Sequence, residues 1–359
     1  MRKIYVDLKE RSYPIYVGID SSDNFPAVCN SHEISKNIAI ITDRHVASIH
    51  LKRFSKLLSQ QGYNILELVI PSGERQKSLS RAASLYSQLL TSGFPRGSTI
   101  IALGGGVVGD LVGFVAATYR RGVQIIQVPT TLLAQVESAI GGKVAVNHPL
   151  VKNAIGAFHQ PEFVFSDVTF LATLPKREVI CGLGELLKYA ILDKDVFCFL
   201  ENHLDEILQL NLDIIMQTVI RCNTIKAKLI SEDERELKEE GGRQVLNMGH
   251  TIGHALENLS HYKLHHGEAV LIGLRWELLL AKEAEIIDKS DFERINTLYN
   301  RISFEPDLSF LKMNEVKKNI YRNNRKVKFI LPRSIGDVII TETIDSSLVQ
   351  TVLRQLKRG

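Results

Sequence analysis

Five of the chain's eleven histidines fall between Arg243 and Val270, in RQVLNMGHTIGHALENLSHYKLHHGEAV. His250 and His254 are four residues apart. With Leu246, Ala255 and Leu259 at helical spacing, the segment reads as an amphipathic helix, and an i,i+4 pair puts both imidazoles on one face. Neutral imidazole is the commonest metal-binding side chain, and histidines on a rigid helix can fix part of a tetrahedral shell. His265 and His266 follow after a short break, then Gly267 and Glu268. The plain alternative is a polar helix edge whose histidines only hydrogen-bond. A third histidine nearby and a carboxylate from elsewhere weigh toward metal. There is no HExxH, so a metalloprotease arrangement is not supported.

A second constellation follows the apolar run IIAL. Gly104-Gly105-Gly106-Val107-Val108-Gly109-Asp110 contains GxGxxG between a strand pattern and a helix pattern. Glycines there let backbone approach a pyrophosphate, and the helix N-terminus favours its charge. The ordinary dinucleotide fingerprint places a ribose-binding acid roughly twenty residues on. Here that region reads Val128-Pro129-Thr130-Thr131, and the acids lie upstream, at Asp43 and in the loop carrying Glu74. A glycine turn on a later strand, with acids on earlier ones, points to a different family of NAD-binding fold. Further on, Gly141-Gly142-Lys143 is followed by Lys152-Asn153, with Arg120 and Arg121 upstream. Glycines beside a lysine suit an oxyanion, with Lys as point charge and Asn as donor. It is not a Walker A loop. A solvated basic loop is the plain reading; the apolar flanks FVAATY and AIGAF favour an anion site.

The elements that must carry these groups alternate early in the chain. Residues 3–8 and 13–18 read as a β-hairpin or two edge strands, 37–42, 63–69, 99–103 and 123–128 as further strands, and 46–61 and 78–92 as helices. Alternating strands and helices give right-handed crossovers and a parallel sheet, with ligands at the strands' carboxyl ends. From about Arg177 helical patterns dominate (183–209, 211–231, 243–259, 268–286, 291–301), and only 327–331 and 337–342 look extended. The boundary falls near 175–180, at TLPKRE. The expected organisation is α/β, with a Rossmann-like domain over 1–177 and a mostly α-helical domain over 178–359.

Bulk properties narrow the class. The 359 residues carry 44 basic and 40 acidic side chains, a net charge of +4, with 45% hydrophobic and 23% charged residues. That balance, without a dense basic block, speaks against a nucleic-acid partner. Cys29, Cys181, Cys198 and Cys222 are scattered and read as reduced thiols. The start, MRKIYVDLKERSY, reads as a strand and not a signal peptide. The apolar run Thr99 to Tyr119 holds several glycines and Asp110, so it reads as strand, turn and helix rather than a membrane span. The expectation is a cytoplasmic protein with neither a nucleic-acid nor a membrane partner.

The blocks GGGVVGDLVGFVAATYRRG, QVPTTLLAQVESAIGGKVAVN, TLPKREVICGLGELLKYA and LNMGHTIGHALE resemble the 3-dehydroquinate synthases, and the likeness runs over nearly the whole chain. The resemblance implies an NAD-binding N-terminal domain, a helical metal-binding C-terminal domain, an active site in the cleft and a homodimer. It implies conversion of 3-deoxy-D-arabino-heptulosonate 7-phosphate, a small anionic sugar phosphate, to 3-dehydroquinate and phosphate. The implied cofactors are NAD and a divalent metal, Zn2+ foremost and Co2+ as the alternative.

Matched residue by residue, the metal ligands are Glu185, His250 and His266. This reassigns His254, the helical partner of His250, to proton transfer and hydrogen bonding at the substrate. NAD contacts fall on Asp43, Glu74, Lys77, Gly105, Gly106, Val107, Asp110, Thr130, Thr131, Lys152, Thr173, Leu174 and Glu178. Substrate contacts fall on Arg121, Lys143, Asn153, Lys188, Lys226, Arg243 and Asn247, with Arg121 reaching across the dimer. Three features depart from the family pattern. Glu137, between NAD and substrate, stands where Asp is usual. The loop DERELKEEGGRQ is longer, so Arg243 is matched from its C-terminal side alone and Lys226 only from IKA. The late phosphate-binding Asp-Lys-Lys is not legible in NNRKVK, where Lys326 is the candidate and Arg325 the second choice. A cyclase making an inosose or a valiolone, and a metal-dependent glycerol or alcohol dehydrogenase, are the competing readings. A binding-only protein is the third.

Overall fold

The computed structural model describes residues 1–238, 241–261, 263–309, 311–321 and 327–355. The chain groups into two compact units: Met1–Leu174 with Ile215–Glu234, and Pro175–Ile214 with Arg235–Gly359. None of the described helices is long and apolar enough to cross a membrane.

The first unit is built on a seven-stranded sheet. In chain order its strands are β1 (Arg2–Val6), β2 (Tyr13–Gly18), β3 (Asn37–Asp43), β4 (Asn64–Ile70), β5 (Thr99–Gly104), β6 (Gln124–Pro129) and, after the hairpin β7 (Lys143–His148) and β8 (Val151–Phe158), β9 (Phe163–Asp167). The spatial order is β1-β2-β9-β6-β5-β3-β4. Only β1 runs antiparallel to its neighbour; the other pairings are parallel. A parallel sheet is covered on both faces, so its inner strands are largely apolar. Ala39, Ile41, Ile100, Ala102 and Ile125 enter one core, while Ile38, Ile40, Ile101, Leu103, Ile126 and Val128 enter the core on the opposite face. From β3 the chain moves to β4 on one side, and from β5 to β6 on the other. That reversal is a topological switch point, where open α/β sheets bind ligands at the strands' carboxyl ends.

The β7–β8 hairpin is absent from the sequence reading, which treats its first half as an anion loop. Val144 of β7 packs on the helix Gly106–Thr118 where a Cβ at Gly113 would lie 2.3 Å from its Cγ1. Glycine at 113 is what lets the hairpin lie flat on that helix.

The second unit contains the helices Lys176–Leu192, Lys194–Leu208, His250–Leu259, His266–Glu283, Lys289–Arg301, Met313–Ile320 and Ser346–Gln355, with a hairpin of β10 (Phe329–Ser334) and β11 (Asp337–Thr341). Two expected helices are broken. The stretch read as 183–209 is interrupted at Asp193, whose side chain caps the second helix by accepting from the Val196 amide at 3.0 Å. The stretch read as 243–259 is a short 3-10 turn, Gly242–Asn247, then a break at Gly249 in the left-handed conformation (φ 79°), then His250–Leu259. A left-handed residue ends any right-handed helix, and glycine adopts it without steric cost.

Candidate active site

In the second unit three helices meet backbone to backbone. A Cβ at Gly184 would lie 2.3 Å from the Gly267 carbonyl oxygen, and one at Gly273 would lie 2.0 Å from that of Gly249. Only glycine permits either approach. Helices Lys176–Leu192 and His250–Leu259 therefore both lie directly against His266–Glu283, and they carry Glu185, His250 and His266 into one cluster.

Glu185 is fully buried. Its Oε1 lies 3.6 Å from His250 Nε2 and 3.4 Å from His266 Nε2. Among the described residues no hydrogen bond reaches that oxygen. Its other oxygen pairs with Nζ of Lys188, also fully buried, at 2.5 Å. Burial pushes the Glu185 carboxyl up, but Lys188 and then the two imidazoles pull it well below the usual carboxylate range. His250 donates from Nδ1 to the Met248 carbonyl at 3.0 Å, and His266 from Nδ1 to Glu257 at 3.1 Å. Both rings thus present the Nε2 lone pair toward Glu185. Burial, against the pull of Glu185, brings the His250 pKa down to about 4, so the ring stays neutral.

These residues fit a divalent cation. Tetrahedral bonds of about 2 Å to nitrogen and oxygen place donors roughly 3.3 Å apart, and the observed separations are 3.4 and 3.6 Å. A buried carboxylate oxygen without a hydrogen-bond donor, facing two imidazole lone pairs, is a poor resting arrangement without a cation. His254, on the same helix face as His250, is exposed, with its ring 5.3 Å from that of His250 and 5.9 Å from that of His266.

Two other groups of possible ligands arise among the described residues: Glu178, Cys181 and His265, and His254, Glu257 and His266. In the first, His265 is already paired with Glu178 at 2.9 Å, and burial pushes the Cys181 thiol far up, away from the thiolate a metal needs. The second shares His266, whose Nδ1 already donates to Glu257.

In the first unit the polar residues gather around the switch point. Asp43 ends β3 and caps the next turn, accepting from the His45 amide at 2.8 Å and from the Ser72 hydroxyl at 2.7 Å. Gly105 caps the helix Gly106–Thr118 without a side chain, so Gly106 and Val107 lead a helix whose first amides point outward. Lys77, 4% exposed, donates to Asp110 of that helix and to Asn153 Oδ1 at 2.5 Å. Glu74 accepts from Asn147 at 2.7 Å and lies 3.8 Å from Lys152. The Thr130 amide bonds back to Gly104 at 3.0 Å, and Thr131 accepts from the Ala134 amide at 3.2 Å. Thr173 and Leu174 close the 3-10 turn that follows β9. Lys143 begins β7 and is exposed. Arg121 sits in the tight turn before β6, where Arg120, Arg121 and Gly122 have φ of 48°, 71° and 112°. Two adjacent non-glycine residues in that conformation are strained, as functional turns often are.

Glu137 and Lys226 face each other within the same unit. Lys226 Nζ lies 2.7 Å from Glu137 Oε1 and 2.5 Å from the Glu137 carbonyl. In the second unit Arg243 is buried, and Asn247 donates to Glu236. Lys326 and Arg325 lie outside the described residues.

Two family models match adjoining stretches of the chain: 3-dehydroquinate synthase N-terminal over residues 67–181 and 3-dehydroquinate synthase C-terminal over residues 182–326. The chain belongs to the 3-dehydroquinate synthase family. A 3-dehydroquinate synthase from Thermoanaerobacter sp. (strain X514) is 44% identical over 355 residues, covering 97% of this chain and 99% of that one. Among solved structures, the 2-epi-5-epi-valiolone synthase ValA from Streptomyces hygroscopicus subsp. jinggangensis 5008, with NAD+ and Zn2+ bound, superposes with a TM-score of 0.89. It is 25% identical, and 98% of each chain is covered. A 2-deoxy-scyllo-inosose synthase complexed with carbaglucose-6-phosphate, NAD+ and Co2+ gives a TM-score of 0.87 at 25% identity over 99% of each chain.

Within this member of the 3-dehydroquinate synthase family, sequence reasoning overlooks two acids beside the histidine cluster. Glu257 holds the Nδ1 side of His266, and Glu268 caps the helix that begins with His266 while accepting from Arg177 at 2.7 and 2.8 Å. Glu257 lies three residues beyond His254 and seven beyond His250, on the same helical face. That spacing is the signal that could have found it.

Proposed function

We propose that the chain carries out the 3-dehydroquinate synthase reaction, taking 3-deoxy-D-arabino-heptulosonate 7-phosphate to 3-dehydroquinate and phosphate, a step of the shikimate pathway toward aromatic amino acids. The observation that carries the reading is the convergence of Glu185, His250 and His266, in a chain 44% identical over nearly its whole length to a 3-dehydroquinate synthase. When bound, NAD takes up and returns a hydride at C5 of the substrate, and the divalent metal acts as a Lewis acid on the oxygens there.

The chain's own residues divide the remaining tasks. Glu185, His250 and His266 hold the metal, with Met248 and Glu257 fixing the two rings. Asp43, Glu74, Lys77, Gly105, Gly106, Val107, Asp110, Thr130, Thr131, Lys152, Thr173, Leu174 and Glu178 hold NAD, its pyrophosphate at the N-terminus of the helix Gly106–Thr118. Lys143, Asn153 and Arg121 hold the substrate phosphate, and Arg243, Lys226 and Asn247 its carboxylate end. Lys188 neutralises Glu185 and reaches the substrate from the same helix. His254, exposed beside the two ring ligands, moves the proton. Holding the reacting groups in line is worth up to roughly 7–11 kcal/mol. The working form is a homodimer in which the strained Arg121 turn reaches the second copy. The test is phosphate release from the heptulosonate phosphate with and without NAD. Phosphate release without NAD, or NADH accumulating with each turnover, overturns the reading and favours a net dehydrogenase.

A further inference from the structure

Glu277 lies inside the helix His266–Glu283 and is 1% exposed. Its Oε2 accepts the Gly249 amide at 2.5 Å, and among the described residues no hydrogen bond reaches its Oε1. Burial pushes its carboxyl well above the usual range, against the pull of the Gly249 amide. Burying a carboxyl group for one hydrogen bond is costly, and the partner of that bond shows what is gained.

Gly249 N–H and Met248 C=O belong to one peptide unit. A trans peptide is planar, and its N–H and C=O point in opposite directions. On one side of this plane the N–H is held by Glu277. On the other the carbonyl accepts His250 Nδ1 at 3.0 Å. Glycine at 249 leaves the plane free to rotate unless something fixes it, since its φ of 79° is one of several conformations open to glycine. The helix His266–Glu283 touches Gly249 at two points one turn apart, and one of them fixes this plane. Glu277 takes the Gly249 amide of this plane, and one turn earlier Gly273 lies against the Gly249 carbonyl, which belongs to the next peptide unit, so the plane is held by Glu277 and the chain just beyond it by Gly273. One helix thus supplies His266 and also controls the plane that orients His250.

We propose that Glu277 is a positioning residue of the metal centre: it locks the Met248–Gly249 peptide plane and, through the Met248 carbonyl, the ring of His250. The inference rests on the reading of His250 as a metal ligand. What Glu277 supplies is an acceptor of the right length. Glu277→Gln keeps one, Glu277→Met removes it at similar volume, and Glu277→Asp stops one methylene short.

The experiment is zinc affinity of the full chain by competition with a chromophoric chelator, with the Co2+ absorption spectrum as a record of ligand geometry. Circular dichroism establishes that each variant is folded. Glu277→Met is expected to bind zinc about tenfold more weakly or worse, with an altered Co2+ spectrum, while Glu277→Gln stays close to the unsubstituted protein. If Glu277→Met does not accumulate as folded protein, Glu277→Asp takes its place with the same expected loss. A folded Met or Asp variant with unchanged zinc affinity and Co2+ spectrum overturns the proposal, and so does a Gln variant that loses zinc. His250→Ala separates the two levels. If it too keeps zinc, the reading of the site has failed. If it loses zinc while Glu277→Met does not, only the positioning role has failed.

Discussion

The two polar clusters of this molecule are prepared in opposite ways. Around the switch point of the first unit, cationic and amide groups are already answered by neighbours: Lys77 by Asp110 and Asn153, Lys226 by Glu137, Asn147 by Glu74. In the second unit Glu185 Oε1 faces two imidazole lone pairs, and among the described residues no hydrogen bond reaches it. One cluster neutralises itself, and an anion that enters must exchange partners with it. The other is arranged for a cation, and its affinity depends on how firmly the donors are held. Losses at the metal cluster should therefore be near complete, and changes at the anion cluster graded.

The largest expected effect is removal of the metal. Chelation, His250→Ala or His266→Ala should abolish turnover and leave the far-ultraviolet circular dichroism unchanged, because the three ligand helices meet through glycine contacts and an apolar core that do not involve the ligands. Zinc should restore the chelated protein and not the His variants. Unfolding on chelation would show a structural site instead of a catalytic one.

His254→Ala comes next and tests the boundary of the cluster. Helical spacing pairs His254 with His250, yet its ring is exposed, while Glu185 Oε1 lies 3.6 Å from His250 and 3.4 Å from His266. The variant should keep its zinc after dialysis and turn over about 10²–10⁴-fold more slowly. A zinc-free His254→Ala beside a zinc-loaded His266→Ala would return the ligand pair to positions 250 and 254.

How far the sequence discloses this site depends on the range of the information. Periodicity finds the α/β alternation and the two imidazoles of one helix, since both are local. Periodicity alone does not find that the helix starts only at His250, because the break is a single left-handed glycine. Nor does it find Glu185 as the third donor, sixty-five residues away; that comes from the family pattern of GELLKYA. Glu277 escapes both routes, and Glu257 is signalled only by its helical spacing from His250 and His254. Each acts on a ligand from behind, Glu257 through a side-chain hydrogen bond and Glu277 through a peptide plane, and the second arrangement leaves no motif. The hairpin β7–β8 was legible in the alternation KVAVN and was overshadowed by the adjacent Gly-Gly-Lys.

At the anion cluster the effects should be smaller and should separate by ligand. Lys152→Ala removes a cation 3.8 Å from Glu74, on the side assigned to NAD. Lys143→Ala removes one assigned to the phosphate. A hydrogen bond to a charged group contributes about 1.5–3 kcal/mol, which is roughly 10–100-fold in affinity. Lys152→Ala should weaken NAD binding measured by equilibrium dialysis, and Lys143→Ala should raise the KM for the sugar phosphate with NAD affinity unchanged. Unaltered kinetics in both would return the segment to a solvated basic loop.

The smallest expected effect tests self-neutralisation itself. The Lys226 side chain is 4% exposed, and its Nζ meets two acceptors of one residue, Glu137 Oε1 at 2.7 Å and the Glu137 carbonyl at 2.5 Å. Asp at 137 is shorter by one carbon–carbon bond, about 1.5 Å, so its carboxylate falls back while the carbonyl contact remains. If the side chain competes with the substrate's carboxylate for Lys226, Glu137→Asp should lower KM. Because the carbonyl contact remains, the net change should fall below the roughly 1.5–3 kcal/mol of a bond to a charged group, at about 1 kcal/mol, hence roughly fivefold. A rise in KM would mean the opposite: Glu137 holds Lys226 in the position the substrate needs, and the partners found around the switch point are preorganisation and not competition. The change in KM at constant NAD affinity decides between these, because both readings place Lys226 at the substrate and differ only in the sign of what Glu137 does to it.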